Sequence, residues 1–345
     1  MMKVRHSLLF AAALMAVVGC QRRQLVDGRD LSEVCTVRFQ GGSIEVQSSS
    51  KANLVNLPTG STVRIVAYQR QSDGQGAPNL GSDTWKATST YKVIEDGSFV
   101  PCLVDDSGVE QSGVAEGMEL YNGVYDFYAY STARKLEADN QTVKGVAHGE
   151  DFIGSYLGSQ TINRSSSTVN LEFEHECSKL TFSVVPSEDM VCGDLTARKV
   201  SLKKMSTTPA ADYTIGGDLT PTVGDETSVC ELSSFSYIDE QQKGEGAVGS
   251  GIFLPKASGT IPADFTVSID GKEYELSAEL PEMAFTKGNN YKFTALVTPR
   301  GLELYLKVVS WNEVNIDTDM GGVPEGSVLI RSWDDVQWST SMGGK

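Results

Sequence analysis

The chain has 345 residues and a formal net charge of −16, from 29 basic and 45 acidic side chains. A polyanion would be repelled by most of such a surface, so a nucleic-acid partner is not expected. Apolar residues make up 40% and charged residues 21%, which is typical of a folded chain rather than a disordered acidic one. The 34 glycines and 11 prolines leave room for many turns. Composition therefore indicates an acidic, turn-rich protein built mainly of β-sheet.

A positively charged start followed by an apolar run predicts export. Lys3 and Arg5 precede the apolar residues 8–18, a run about half as long as a bilayer-spanning helix needs to be. The run ends in Val17-Val18-Gly19-Cys20, which resembles the bacterial lipobox, whose cysteine receives a lipid thioether. Cys20 is therefore the predicted lipidation site, with the outer membrane as the expected location. The alternative is a plain cleaved signal with an incidental cysteine.

Period-two alternation of apolar residues follows the polar tether at 20–33 and predicts strands along most of the chain. In chain order the candidate strands are Val34–Phe39, Ser61–Tyr68, Tyr91–Ile94, Gly123–Tyr130, Thr168–Phe173, Leu180–Val184, Phe265–Ile269, Tyr274–Leu280, Tyr291–Val297 and Leu302–Val308. Asp270-Gly271 separates two of these stripes and predicts a two-residue hairpin. No long run shows helical periodicity with caps, so βαβ folds are disfavoured.

The alternation breaks once, between Cys177 and Leu180. A three-residue step there requires a bulge or a change from one sheet to another near Ser178-Lys179. One continuous sandwich with a single bulge is the simpler alternative. We favour a domain boundary, because it divides the chain into halves of normal sandwich size. The predicted organisation is then a signal peptide at 1–19, the tether at 20–33, a first domain at 34–170, a second domain at 171–316, and a flexible linker with an apolar tail at 317–345.

The residues that could carry chemistry are few. Only His148 and His175 remain outside the signal, so a multi-histidine metal site is not expected, and His175 is predicted to pack in the core. The glycine-rich residues 244–251 lack the Lys-Ser/Thr of a phosphate-binding loop and are predicted to form a flexible loop. Asp105-Asp106 and Asp334-Asp335 are interpreted as solvated loop residues. No metal, cofactor or catalytic constellation is therefore predicted, and the protein is not expected to be an enzyme.

Five cysteines remain after Cys20, an odd number in a compartment that permits disulfides. None has the spacing of a metal or redox pair. Burial as a small apolar side chain is the default expectation for each, and which of them pair stays open. They are Cys35, Cys102, Cys177, Cys192 and Cys230.

The order of these segments resembles the fimbrillin family of Bacteroidota lipoproteins. The features that carry the resemblance are the lipobox, the first strand, the segments STVRIVAY and GVYDFYAY, Phe173-Glu174-His175 at the junction, Gly288 to Tyr291 before a late strand, and a last strand ending at Trp311. They cover about residues 34 to 316. The resemblance implies two transthyretin-like Greek-key β-sandwiches in tandem, in a structural, anchoring or adhesive component of fimbriae.

The resemblance also implies assembly by strand addition. In the family a protease removes an N-terminal segment that includes the first strand, and a strand from another subunit fills the gap. The usual cleavage follows an arginine after the first strand, yet Lys51 is the basic residue between Phe39 and Val63. Arg29, Arg38 and Lys51 are therefore the candidate processing positions. A retained first strand would suit an anchor or terminator better than a shaft subunit.

The tail at residues 317–345 contains an apolar segment beyond the last predicted domain strand. Such a segment is costly to leave in water, so it folds back on its own domain or serves a neighbour as a donor strand. The candidate donor residues are Val328, Leu329, Ile330, Trp333, Val336 and Trp338.

Two functions of different class follow. The first is a fimbrial lipoprotein whose partners are other subunits, the outer membrane through its lipid, and host or bacterial surface receptors. The second is a glycan-binding surface lipoprotein without a fimbrial role, in which Trp85 or Tyr156 stacks on sugar faces. Removal of the first strand would favour the first function, because the terminus rather than the loops would then carry it.

Overall fold

The structure is a computed structural model that describes residues 25–26, 29–30, 33–46, 53–70, 76–80, 86–205, 210–219, 229–299, 301–310 and 329–332. Within these ranges the chain is almost entirely β-strand, which confirms the predicted all-β class. A single 3₁₀ turn, η1 (Lys243–Glu245), is the helical element of these ranges. No helix in this described part is long and apolar enough to cross a membrane.

The first fifteen strands belong to the N-terminal half. They are β1 (Leu25–Val26), β2 (Arg29–Asp30), β3 (Val34–Thr36), β4 (Arg38–Val46), β5 (Asn53–Asn56), β6 (Thr62–Gln69), β7 (Lys86–Val93), β8 (Phe99–Pro101), β9 (Leu103–Val104), β10 (Glu110–Gln111), β11 (Glu119–Tyr121), β12 (Gly123–Ser131), β13 (Thr142–Ala147), β14 (Ile153–Ile162) and β15 (Thr168–His175).

The remaining eleven strands belong to the C-terminal half. They are β16 (Ser178–Pro186), β17 (Leu195–Lys203), β18 (Ala210–Thr214), β19 (Val229–Leu232), β20 (Ser236–Tyr237), β21 (Ala247–Phe253), β22 (Lys256–Ile269), β23 (Lys272–Phe285), β24 (Asn289–Thr298), β25 (Gly301–Ser310) and β26 (Leu329–Ser332).

Eight strands of the first half form one sheet, in the order β5-β4-β15-β14-β12-β6-β7-β8. β14 pairs with β12 along its length but with β15 at only two positions, so the sheet divides between β14 and β15. The two parts face each other across a core. Phe39 of β4 lies against Tyr91 of β7 with ring centroids 5.2 Å apart, and Phe173 of β15 lies 6.4 Å from Phe99 of β8.

The chain passes from the first half to the second at Glu176 and Cys177. β15 pairs within the first sheet, whereas β16 pairs with β21 and β24 of a different sheet. Every residue of β15 lies before this step, so a division placed after residue 170 would cut the strand. A division at Glu176 and Cys177 keeps each strand whole.

In the second half, a six-stranded sheet, β20-β21-β16-β24-β25-β26, faces a four-stranded sheet, β19-β17-β22-β23. The rings of Phe182 in β16 and Phe265 in β22 meet across the gap with centroids 5.8 Å apart. The turn between β22 and β23 confirms the predicted hairpin: Asp270 and Gly271 have φ of +50° and +80° and join the paired residues Ile269 and Lys272.

A third core, which the sequence pattern did not predict, joins the two halves. Val66, Tyr68, Tyr128 and Tyr130 lie on the face of the first sheet opposite its own core, and all four are buried. The side chains that cover this face from the second half are Cys177, Ala211, Tyr213, Ile215, Leu219 and Leu254. β13 of the first half also pairs antiparallel with β18 of the second. The halves therefore share both a hydrophobic core and a strand ladder.

The glycine-rich residues 244–251 were predicted to be a flexible loop, and that prediction is wrong. Only Gly244 and Glu245 lie in η1, and Ala247–Phe253 forms β21, which pairs with β16 over seven positions. The glycines permit close backbone approach: a Cβ on Gly246, whose φ is +105°, would lie 2.0 Å from the Val184 carbonyl oxygen.

All five described cysteines are free, and three of them are buried, as a small apolar side chain would be. Burial raises the pKa of Cys177 to about 12 and that of Cys230 to about 11, so neither thiol is reactive near neutral pH. Cys192 and Cys230 are partly exposed and pack against the core of the second half.

Candidate functional site

The first strand, residues 34–46, lies between two sheets and is held by both. β3 pairs antiparallel with β11, and the Val37 amide donates to the Met118 carbonyl at 2.9 Å. β4 then pairs parallel with β15 on one side and antiparallel with β5 on the other. The strand therefore fills a slot, here called the groove, whose walls are β11 and β15.

Alternate side chains of the first strand are buried in the groove. Cys35, Val37 and Phe39 are 6%, 3% and 4% exposed, whereas Thr36 and Arg38 between them point to solvent. This is the alternation predicted from the sequence, and it places three apolar side chains in the core of the first half.

One part of the groove is an aromatic pocket around Phe39. The Phe39 ring lies 5.2 Å from Tyr91 and 5.7 Å from Phe127, both in edge-on arrangements. The Tyr91 hydroxyl accepts a hydrogen bond from the Met118 amide at 2.7 Å, which fixes its ring, and burial raises its pKa. The pocket thus has a defined shape and is lined by apolar ring faces.

Gly41 makes a close approach of backbone to backbone. Its φ is +96°, and a Cβ at this position would lie 2.8 Å from the carbonyl oxygen of Leu171 in β15. The parallel register of β4 and β15 shifts here, between Asn170 and Glu172. Only glycine fits this position without moving the backbone of β15.

Without the first strand, the outer edge of β15 would lose its partner, and the pockets of Cys35, Val37 and Phe39 would open to water. An edge with free backbone donors and acceptors beside an exposed apolar core is a template for another extended segment. The arrangement can therefore bind a strand, and it binds the chain's own strand in this structure.

The predicted processing residues lie in different settings. Arg29 is in the short ladder of β1 and β2. Arg38 is exposed but lies inside β4, where its amide donates to the Ser167 carbonyl at 2.9 Å. Lys51, between β4 and β5, lies outside the described residues, as does the lipidation candidate Cys20.

Of the donor residues predicted in the tail, Leu329 and Ile330 lie within the described structure. They belong to β26, which pairs antiparallel with the first four residues of β25 at the edge of the six-stranded sheet. The other four candidates, Val328, Trp333, Val336 and Trp338, lie outside the described residues.

A second cluster, missed by the sequence reasoning, lies where the two halves meet. Lys287 places its Nζ 2.5 Å from Asp218, 3.3 Å from Glu176 and 3.7 Å from Glu174. Burial raises the pKa of Glu176 to about 7, against the opposing pull of Lys287. No spacing in the sequence connects these residues, which come from three separate segments.

This cluster borders a cavity of about 320 Å³ that Tyr156 also lines. Tyr156 is 51% exposed, its ring centroid lies 5.0 Å from that of Tyr128 in a tilted arrangement, and its hydroxyl donates to Asp126 at 3.2 Å. Arg70 holds the same buried carboxylate at 2.6 Å. Trp85, the other aromatic candidate, lies outside the described residues.

Both histidines serve packing. His175 is 5% exposed and bonds Asp151 through Nδ1 at 2.6 Å, in agreement with its predicted place in the core. His148 accepts the Leu254 amide at 3.2 Å, and burial lowers its pKa to about 4. Across the described ranges, no group of three or more histidine, cysteine or acidic side chains is placed to hold a metal ion.

Comparison with known proteins finds relatives in sequence and in fold. A Bacteroides uniformis protein named as a candidate fimbrium subunit, Fim1C, is 24% identical over 242 residues, which cover 66% of this chain and 72% of that protein. A solved structure of a candidate cell adhesion protein from Bacteroides uniformis has a TM-score of 0.53 and 21% identity, covering 81% of this chain and 99% of that one.

A second solved structure, a candidate cell adhesion protein from Bacteroides fragilis, has a TM-score of 0.52 and 18% identity and covers 82% of this chain and 100% of that one. At these identities the structural likeness shows a shared fold. The family model described as fimbrillin-like matches residues 36–316, from within the first strand to beyond β25. This chain therefore belongs to the fimbrillin-like family.

Proposed function

We propose that this protein is a structural, anchoring or adhesive component of bacterial fimbriae that joins other subunits by β-strand addition. The observation that carries the proposal is the first strand, which fills a groove between two sheets with three buried apolar side chains. Membership of the fimbrillin-like family supports the same role. Its partners are other fimbrial subunits, with host or bacterial surface receptors for an adhesive role.

Export and anchoring form part of the proposal. The lipobox at Cys20 gives a chain held to the outer membrane by lipid, at the cell surface or in the fimbrium. Cleavage after the first strand would remove the lipid together with residues 34–46. A single cleavage would then both release the protein from its membrane lipid and open the groove.

Among the processing candidates, we favour Lys51. Cleavage after Arg29 leaves the first strand attached, and Arg38 is held inside a paired strand, where a protease would need local unfolding to reach it. Cleavage after Lys51 would separate β4 from the rest of the chain and leave β5 without its partner.

The tail is proposed as the donor strand for a neighbour. β26 is joined to β25 by residues 311–328, which is far longer than the two to five residues that usually connect hairpin strands. A connection of this length lets the tail stay on its own edge or reach a second protein.

Glycan binding at Tyr156 is the second candidate function. Its half-exposed ring is fixed by the bond to Asp126 and borders a cavity, as a stacking platform for a sugar would be. This function would leave the N-terminus and the lipid untouched, so the two candidates differ in the mature chain they predict.

The test is mass spectrometry of the native protein purified from its own cell envelope. We expect a lipid-free chain that begins between residues 39 and 61. We expect Lys51→Ala to retain the first strand and the lipid, and the matched control Arg29→Ala to be processed normally. A wild-type chain that still begins at acylated Cys20 would contradict the shaft-subunit role and leave an anchor or a membrane-held binding protein.

A further inference from the structure

The cavity where the two halves meet opens at a point where two strands separate. β14 and β15 are paired at two positions of the described structure, and the pair nearer the cavity is Gly154 with Glu174. Beyond it the strands diverge, β14 along β12 and β15 along β4. Residues 154–156 of one strand and 172–174 of the other therefore form two walls of the cavity.

The cavity is small and open on one side. Its volume of about 320 Å³ is near the lower limit for ligand pockets, which range from about 300 to 1,000 Å³. Glycine keeps its floor clear, because a Cβ on Gly154 would lie 2.5 Å from the Tyr213 hydroxyl and 2.8 Å from Oε1 of Glu176. At the mouth, the Asp218 side chain is 70% exposed and Tyr156 51%. One ring of a ligand therefore fits inside, and the rest of the ligand projects into water.

Tyr156 supplies a fixed aromatic face at the mouth. Its hydroxyl donates to Asp126, whose buried carboxylate is also held by Arg70 and by the Ser159 amide at 2.7 Å. One side of the ring lies against Tyr128, and its exposed part leaves the other side open for stacking. The face of an aromatic ring carries partial negative charge, so it attracts the partly positive C–H groups of a sugar ring.

The charged lining of the cavity is mostly acidic. One basic residue, Lys287, lines it together with four acidic ones, which are Glu172, Glu174, Glu176 and Asp218. The Lys287 Nζ lies within 3.7 Å of three of these carboxylates, so its charge is already neutralised. A carboxylate or sulfate that entered would meet an excess of like charge, which is unfavourable. The lining therefore excludes anionic ligands.

These features together select a class of ligand. A wholly apolar ligand would remove water from the carboxylates without bonding to them, which is costly. A metal ion is not favoured, because no three acidic, histidine or cysteine side chains of the described residues are placed to hold one. A basic side chain would compete with Lys287 for the same carboxylates. Sugar hydroxyl groups instead donate to carboxylates and accept from Lys287, while the C–H face of the ring stacks on Tyr156.

Resting on the second candidate function, glycan binding at Tyr156, we propose that this cavity binds a single terminal pyranose ring without negative charge. The ring stacks on Tyr156 and forms hydrogen bonds with Lys287 and the carboxylates around it. Uronic acids, sialic acids and sulfated sugars are rejected by Glu172, Glu174 and Asp218. A free amino group on the ring strengthens binding, because its positive charge lies near the same carboxylates.

The experiment is ligand-observed NMR of the chain from residue 20 to residue 345 with the methyl glycosides of glucose, galactose and mannose, at neutral pH and low salt. Each glycoside is compared with its uronic acid, which differs at C6 alone, and with its 2-amino sugar. We expect at least one neutral glycoside to bind with a dissociation constant on the order of 1 mM, as suits one small ring. Its uronic acid should bind at least about tenfold more weakly, and its 2-amino sugar several-fold more tightly.

Variants assign the binding to this cavity. Tyr156→Ala should weaken binding of the neutral glycoside about tenfold, whereas Tyr156→Phe, which keeps the ring and loses the bond to Asp126, should retain most of it. Asp218→Asn should reduce the discrimination against the uronic acid several-fold, because it removes one negative charge from the mouth. Asp212→Asn is the matched control, since Asp212 is exposed in nearby β18 and does not line the cavity.

Different failures are distinguishable. If no neutral glycoside binds at up to about 20 mM, well above the expected constant, or if Tyr156→Ala changes nothing, the proposal and the glycan-binding candidate fail together. If uronic acids bind as well as neutral glycosides and Tyr156→Ala weakens both, glycan binding stands and the exclusion of charge is overturned. Binding of N-acetylarginine amide in place of every sugar would assign the cavity to a basic peptide side chain and overturn the proposal. The role in fimbriae is judged separately, by the mature N-terminus.

Discussion

Glu176 lies between β15 and β16, and its side chain is 4% exposed at the point where the chain crosses from one half to the other. The charged groups around it are Lys287, Asp218 and Glu174, with the buried Tyr213 ring beside them. Burial raises the pKa of Glu176 from its ordinary value of 4.5 to about 7. A carboxyl group this deep in the junction favours its protonated form in the folded protein.

The raised pKa makes stability depend on pH with a definite sign. The folded chain holds a proton on Glu176 that the unfolded chain has released above pH 4.5. This contribution to stability is fully present below pH 4.5 and is lost as the pH rises through about 7. The junction should therefore weaken as the surroundings change from mildly acidic to neutral.

Glu176→Gln should remove this dependence. We expect the variant to gain stability relative to wild type between pH 5 and 8, by at most about 3 kcal/mol, because the amide has no charge to bury. The measurement is the urea midpoint of both proteins across this range. Glu174→Gln is the matched control, since Glu174 is 64% exposed and faces the same lysine. Parallel pH curves for wild type and Glu176→Gln would refute the assignment.

At the scale of single elements, the first strand is the one whose loss has the clearest consequence. It contributes three buried side chains to the core of the first half and links β11 to β15. Its neighbour β5 pairs with no other strand of the described structure. The strand is therefore important for stability, and its removal would break its own ladders with β11, β15 and β5 but none between the other strands.

Phe39→Ala should lower the free energy of unfolding by about 3–5 kcal/mol, because it leaves an aromatic-lined cavity in the core. Gln40→Ala on the same strand should change it by less than about 0.5 kcal/mol, since its side chain is exposed. Chemical denaturation of the two variants checks this. Similar midpoints for both would mean that the first strand contributes little to the core of the isolated protein.

The strands themselves could be predicted, because alternation of side chains such as Cys35, Val37 and Phe39 records a buried and an exposed face. The third core, which joins the two halves, could not be predicted from the sequence. In β12 both Phe127 and Tyr128 are buried, one in each of two cores, and a strand buried on both faces gives no alternation. The pairing of β13 with β18 and the meeting of Glu176 with Lys287 depend on how the halves dock, which local patterns do not encode.

For the whole molecule, the shared core decides how the halves behave. Tyr213 from the second half is 2% exposed, and its ring lies 5.0 Å from Phe152 and 6.3 Å from Tyr130 of the first half. Together with the ladder of β13 and β18, this makes the contact between halves resemble a domain interior rather than a loose linker.

We therefore expect wild type to unfold in one calorimetric transition. If one half unfolded alone, the apolar side chains that the other half contributes to the third core would be exposed to water, which is unfavourable. Tyr213→Ala should separate the unfolding into two transitions. The control Phe182→Ala removes a ring from the core of the second half and should lower the midpoint without creating a second transition. Two resolved transitions in wild type would contradict the coupling.

The parallel register of β4 and β15 has a mechanical consequence. The pairs run from Arg38 with Thr168 to Ile44 with Phe173, and the strands point the same way. A pull on the chain before residue 34 acts along the axis of β4, so the backbone bonds to β15 are sheared together instead of being peeled one by one. Resistance to such a load is set by the rate of crossing the unfolding barrier rather than by equilibrium stability. A strand seated in this direction would hold against traction on the N-terminal side and release only when the whole ladder slips.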